Sequence, residues 1–270
     1  MTVRSLPARL VGIVEAMESE QPRVVTLPML TQLAIETGAA ADQAGATRLA
    51  YWLQDLGWLG SIRTKGAWEF IPGSRAGAIA SGDRFIEFRA NLAVHPDWSG
   101  VLAMESAASV LGLAQHVPDR EVVALPPGTP RPKALSEWRT VTVRVPAVGI
   151  EVRDAMPTWN VNGLIAGIAQ RPSGYQDMPG LGQWLPDVGP ALRKDVLFAC
   201  LAGAAQSAWQ RAAYLVRAAG VSVVAEAILA QHPARHALWF GATRTGGIFD
   251  PVARVSDADL APYLEGGIGA

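Results

Sequence analysis

The feature that most constrains the fold is a change of hydrophobic period within residues 6–73, marked at each step by a residue that ends one element or starts the next. Leu6, Leu10, Ile13, Val14 and Met17 recur at helical spacing, which predicts an amphipathic helix ending near Glu20, with Pro22 beyond it. Thr26 is placed to cap a second, shorter helix that carries Leu30, Leu33, Ala34 and Ile35 and stops at Gly38. Asp42 caps a third helix, with Ala46, Leu49, Ala50, Leu53 and Leu56 facing inward and Gly57 at its end. The period then falls to two. Residues 58–63 and 67–71 read as strands joined by Thr64-Lys65-Gly66, with Trp68 and Phe70 alternating with Ala67 and Glu69, and Pro72-Gly73 closes the run. Three helices followed by a β-hairpin is the order of a winged helix-turn-helix, so residues 1–78 are expected to form such a domain.

The small-residue stretch 73–82 is the expected linker, which leaves residues 79–270 as a larger mixed α/β, mainly helical C-terminal domain in an α+β protein. Within it, residues 99–113 read as a helix. Residues 121–125 and 140–145 read as strands separated by the Pro126-Pro127-Gly128-Thr129-Pro130 turn. Residues 191–219 and 221–231 read as helices, and 256–264 as a last one opened by Ser256 and Asp259 in capping-box spacing.

Half of the side chains are apolar and only 17% are charged, which supplies a sizeable core and excludes a disordered chain. The 23 basic and 24 acidic residues balance to a net charge of −1, so any nucleic-acid contact must come from a local patch. The single cysteine, Cys200, excludes an internal disulfide and a thiolate metal cage, and its apolar neighbours predict a buried thiol. The N-terminus lacks an apolar leader core, and the longest uncharged apolar run, 196–205, is half a membrane span; the expected location is cytoplasmic, away from membranes.

Away from its apolar stripe the third helix presents Gln43, Thr47, Arg48, Tyr51 and Gln54, types suited to base edges and phosphates in a major groove. The hairpin tip adds Arg63, Thr64 and Lys65, where a wing would meet the DNA backbone. Ordinary solvated polar groups would look the same in pattern, and winged helices also serve as protein-binding modules. A second basic run, Arg131, Lys133, Arg139, Arg144 and Arg153, carries a net +3 once Glu137 and Glu151 are subtracted. With Trp138 and Trp159, its Arg131, Arg139 and Arg144 form a candidate partner-binding set; the alternative is a solvated strand face above core tryptophans.

Nothing in the sequence reads as a catalytic set. His232 and His236 have a metal-ligand spacing but no third ligand nearby, and Pro233 interrupts them. Asp257 and Asp259 fit helix-terminal charges better than a metal-phosphate site, and Gly266, Gly267 and Gly269 read as a tail. No Gly-x-Ser-x-Gly elbow occurs. The expectation is a protein that is not an enzyme and needs no metal or cofactor; the competing reading is an enzyme whose carboxylates are assembled across space in the α+β domain.

Three segments carry a family resemblance. They are Asp55-Leu56-Gly57-Trp58-Leu59 running into Lys65-Gly66-Ala67-Trp68-Glu69-Phe70-Ile71-Pro72; Ser106-Ala107-Ala108-Ser109-Val110-Leu111-Gly112-Leu113 with Val122-Val123-Ala124-Leu125-Pro126-Pro127; and Ile168-Ala169-Gln170-Arg171-Pro172-Ser173-Gly174-Tyr175 with Ser207-Ala208-Trp209-Gln210-Arg211-Ala212-Ala213-Tyr214-Leu215. In this order they resemble the AbiEi-type antitoxins, especially their actinobacterial members, to about position 220. The resemblance implies a winged helix that binds inverted repeats in the duplex DNA of its own promoter. It also implies a second domain associated with antitoxicity toward a nucleotidyltransferase-like toxin, and no cofactor. A stand-alone regulator whose second domain binds another protein or a small effector is the alternative.

Overall fold

Leu10, Ile13, Val14 and Met17 do fall on one buried face, that of α1 (Ala8–Glu20). A computed structural model describes residues 6–75 and 82–264 of the protein. Residues 76–81 of the expected linker, the first five residues and the C-terminal glycines Gly266, Gly267 and Gly269 lie outside the described residues. The chain is mixed α/β and divides into two units, the first made of residues 1–98 with 131–137 and the second of 99–130 with 138–270.

In the first unit α1 leads into a short strand, β1 (Val24–Thr26), which the sequence reading did not foresee. The Thr26 hydroxyl accepts from the Met29 N–H at 3.4 Å and caps α2 (Leu27–Glu36), whose Pro28 sits in the first turn where its missing N–H costs nothing. Asp42 Oδ1 takes the Gly45 N–H at 2.7 Å to start α3 (Gln43–Asp55), and Gly57, at φ +77°, turns the chain out of it. Then β2 (Leu59–Ser61) and β3 (Ala67–Phe70) pair antiparallel, with Leu59 opposite Phe70. The far edge of β3 is taken by β1, also antiparallel, which gives the order β1-β3-β2. Leu10, Ile13, Met17, Leu30, Ala46, Leu53 and Phe70 form the core between the helices and this sheet.

Two details differ from expectation. Ile35 is not inward but 52% exposed, and it lines a surface hollow with Pro28, Gln32 and Gln43. The unit also extends past residue 78: α4 (Ile86–Val94) packs against β1 and β3, and its buried Phe88 meets Trp98 edge-on at 5.5 Å. The tight turn Lys133–Leu135 packs against α4 as well, burying Ala134 and Leu135.

The second unit is built on a five-stranded mixed sheet. Its strands are β4 (Val101–Leu102), β5 (Val122–Ala124), β6 (Arg139–Val141), β7 (Ile150–Arg153) and β8 (Met156–Trp159), in the order β6-β5-β4-β8-β7. The expected helix over 99–113 is shortened to α5 (Met104–Val110), because residues 101–102 pair with both β5 and β8. Helices α6 (Val161–Gln170), α7 (Met178–Trp184), α8 (Lys194–Leu201), α9 (Gln206–Ala218) and α10 (Ser222–Gln231) follow. The helix expected over 191–219 is two, broken by Gly203 at φ +76°. A Cβ on Gly163 would stand 2.1 Å from the Gly149 carbonyl oxygen, and one on Gly167 2.3 Å from the Trp159 ring, so α6 needs both glycines to lie this close.

A small C-terminal sheet, β9 (Leu238–Phe240), β10 (Ile248–Asp250) and β11 (Val255–Asp257), has the order β10-β11-β9. Here the expected capping box fails. Ser256 lies in β11, and the carboxylate of Asp257 takes the N–H groups of Asp259, Leu260 and Ala261 and folds them back, so that of the expected helix only a 3-10 turn at Ala261–Tyr263 forms. Among the described residues no helix is long and apolar enough to cross a membrane.

Cys200 is 2% exposed, and burial pushes its thiol up to about 11. Because the thiolate is the reactive form, Ellman's reagent at about pH 8 is expected to leave Cys200 unmodified until the chain is denatured, when one equivalent reacts. Rapid reaction of the native protein would refute the buried assignment.

Candidate nucleic-acid interface

Helix α3 has two distinct faces. Ala46, Leu49, Ala50 and Leu53 are buried, while Gln43, Arg48 and Tyr51 are exposed, Tyr51 by 61%. Thr47 and Gln54 are half-buried, and the Thr47 hydroxyl donates to the Gln43 carbonyl at 2.9 Å, so it is partly committed within the helix. The structure thus brings Gln43, Arg48 and Tyr51 to one capped helix with their polar ends outward. It adds Trp52, 38% exposed, which the sequence reading left out; its position outside the buried stripe was the available sign.

The hairpin turn is held from outside its own sequence. Glu87 of α4 accepts the Arg63 N–H on Oε1 at 2.5 Å, and the Thr64 N–H and hydroxyl on Oε2 at 3.1 and 2.9 Å. One carboxylate thereby satisfies three donors in a turn that has no ladder partner for them. Thr64 is 7% exposed for this reason: it is an anchor of the turn and does not face outward as expected. Arg63 points to Glu137 at 2.7 Å with both side chains more than half exposed, an ion pair of little weight in water. Lys65 is exposed at the tip, and Gly66, at φ +75°, supplies the left-handed residue that closes it.

The second predicted set does not hold together. Arg131 belongs to the first unit and spends its guanidinium on the carbonyls of Leu135 and Ser136; Trp138, Arg139, Arg144 and Trp159 belong to the second. Trp159, 1% exposed, and Trp138, 9% exposed, are core residues and not surface anchors. Arg139 donates to Glu105 Oε1 at 3.1 Å and to the Gly174 carbonyl. Arg144 alone of these four in the second unit is fully on the surface.

Of the residues weighed for metal chemistry, His232, Asp257 and Asp259 are engaged in the chain. His232 stacks on Trp209 with ring centroids 3.8 Å apart and planes 11° from parallel. Asp257 is buried and also accepts from the Tyr214 hydroxyl at 2.5 Å, while Asp259 accepts the N–H groups of Ala242 and Thr243 and the Thr243 hydroxyl. Asp250, buried, takes Arg217 Nε at 3.1 Å and the N–H groups of Val252 and Ala253.

No family model matches the chain, and no curated protein matches it. Among solved structures it is similar to the crystal structure of the Rv2827c protein from Mycobacterium tuberculosis, at 27% sequence identity and a TM-score of 0.79. That similarity covers 96% of this chain and 94% of the other, so it takes in nearly the whole fold.

Proposed function

We propose that the first unit is a winged helix that binds duplex DNA, and that the protein is a transcriptional autorepressor acting as the antitoxin of a nucleotidyltransferase-like toxin. The observation that carries the DNA-binding part is α3: a helix capped at Asp42 that exposes Gln43 in its first turn and Arg48 and Tyr51 opposite its buried stripe, followed by a hairpin with Lys65 at its tip. A major groove admits one α-helix, where Arg pairs with guanine and Gln with adenine, and a tip lysine suits phosphate. The antitoxin part is supported by the resemblance of three ordered segments to AbiEi-type antitoxins. A second reading, a regulator whose second unit takes a small effector, is favoured by a cavity beside Glu105, described below.

The full chain titrated against its own upstream DNA is expected to bind with an affinity that falls linearly with salt on logarithmic axes, as phosphate contacts release counterions. Arg48→Ala should cost about 1–3 kcal/mol on the operator and little on random DNA, while Lys65→Ala weakens both and lowers the salt slope by about 1. Equal losses on the two DNAs for Arg48→Ala would remove it as a base reader. Antitoxicity is separable from this. Co-expressed with a toxin encoded at its locus, the full chain should restore growth, and the Arg48→Ala chain should do so equally well; failure of both would overturn the antitoxin assignment and leave the DNA result standing.

A further inference from the structure

A cavity of about 340 Å³ opens on the second unit, lined by Glu105, His116, Val117, Pro118, Arg139 and Asp177 among others. That volume is at the small end of the range for sites that enclose small molecules. Glu105 reaches it from the N-terminal turn of α5 and is 4% exposed. Its Oε1 is crowded with donors, accepting from Arg139 Nη1 at 3.1 Å and from the N–H groups of Gln176 and Asp177. Its Oε2 is buried and has no hydrogen-bond partner. Glu105 and the three residues that grip its Oε1 all line the cavity.

An ionised carboxylate offers about four acceptor positions, and a buried oxygen without a donor is a standing cost to the fold. We propose that this cavity is a binding site for a small ligand ending in a cationic hydrogen-bond donor, an alkylammonium or guanidinium group, whose N–H meets Oε2 of Glu105. The sign of the charge follows from the lining. The carboxylates of Glu105, Asp119 and Asp177 outnumber the guanidiniums of Arg120 and Arg139 in the lining by one. Arg139 is already spent on Glu105 and the Gly174 carbonyl. A bare metal ion fits less well, because among the described residues no three His, Cys, Asp or Glu side chains group as a metal-ligand set. Ammonium and guanidinium groups carry donors and no acceptors, which is what an orphaned carboxylate oxygen lacks. Val117 and Pro118 give the methylene stem of such a ligand an apolar wall.

The test uses the ¹⁵N-labelled full chain and three probes: agmatine, putrescine, and butyrate as an anionic control. The amides of Gln176 and Asp177, bonded to the other oxygen of the same carboxylate, are the reporters. Agmatine or putrescine is expected to shift both saturably at millimolar concentration, and butyrate neither. Glu105→Gln should weaken that binding about tenfold or more, since a charge-assisted bond becomes a neutral one. Should Glu105→Gln not fold, Val117→Trp decides: Val117 is 65% exposed, so the larger side chain narrows the cavity without entering the core. Loss of binding with an unchanged melting temperature supports the site. Absence of saturable shifts at the two reporter amides, or undiminished binding by a folded Glu105→Gln or Val117→Trp chain, would overturn it.

Discussion

A fragment ending at residue 78 will not unfold cooperatively, whereas one ending at Glu137, which keeps every residue of the first unit, will. The first cut removes α4, and with it the Glu87 carboxylate that satisfies three donors of the hairpin turn and the buried ring of Phe88. Loss of a buried phenylalanine alone costs about 3–5 kcal/mol, and each bond to a charged acceptor about 1.5–3 kcal/mol. Against the roughly 5–15 kcal/mol that holds an ordinary domain, the shorter fragment has little left. Circular dichroism melts of the two fragments measure this directly. Coincident transitions of equal steepness would mean that α4 is dispensable and that the hairpin turn satisfies itself. The single substitution Glu87→Ala in the full chain isolates the turn's share, and its effect should be largest in the hydrogen exchange of β2 and β3.

Trp159→Ala should be the most destabilising substitution in the second unit's sheet. The indole is 1% exposed, and its ring fills the space that Gly167 leaves open on α6. Truncation leaves a cavity that the rigid α6 backbone cannot close, for a loss of about 3–5 kcal/mol. In a domain of this size that lowers the melting temperature by roughly 6–20 °C. Arg144→Ala, on the exposed side of the same region, should stay within about 0.5 kcal/mol of the parent. The contrast separates a core tryptophan from a partner-binding one. A Trp159→Ala chain that melts normally would return that residue to the surface set from which its burial removes it.

Local chemistry made the first three helices legible. Thr26 and Asp42 cap where a short oxygen-bearing side chain precedes an apolar period, and Gly38, Gly57 and Gly66 occupy positive φ as helix stops and a turn require. What escaped was set at long range. Strand β1 has three residues, the last of them the cap Thr26, too few for any period to show, and it exists because β3 offers it an edge. Residues 101–102 could have continued into α5, but pairing on both sides made them a strand. Trp138 and Trp159 illustrate a different limit: tryptophan is equally suited to a core and to an interface, and only burial decides. On the candidate DNA-binding surface the outward residues of α3 were readable from periodicity. The inward turn of Thr64 was not, because its cause, Glu87, lies 23 residues away.

The return of residues 131–137 to the first unit bears on the order in which the nascent chain can finish folding. An N-terminal module that closed at residue 98 could settle while the rest was still being translated. Here Leu135 and its neighbours must first leave the ribosome, a delay of about 2–8 s at roughly 5–20 residues per second. Through that interval the surface of α4 that will receive Ala134 and Leu135 stays open to solvent and to chaperones. The supply of finished N-terminal units is therefore tied to how fast the ribosome clears the proline-rich stretch 126–132, and synonymous slow codons there would lengthen the vulnerable period without changing a single side chain.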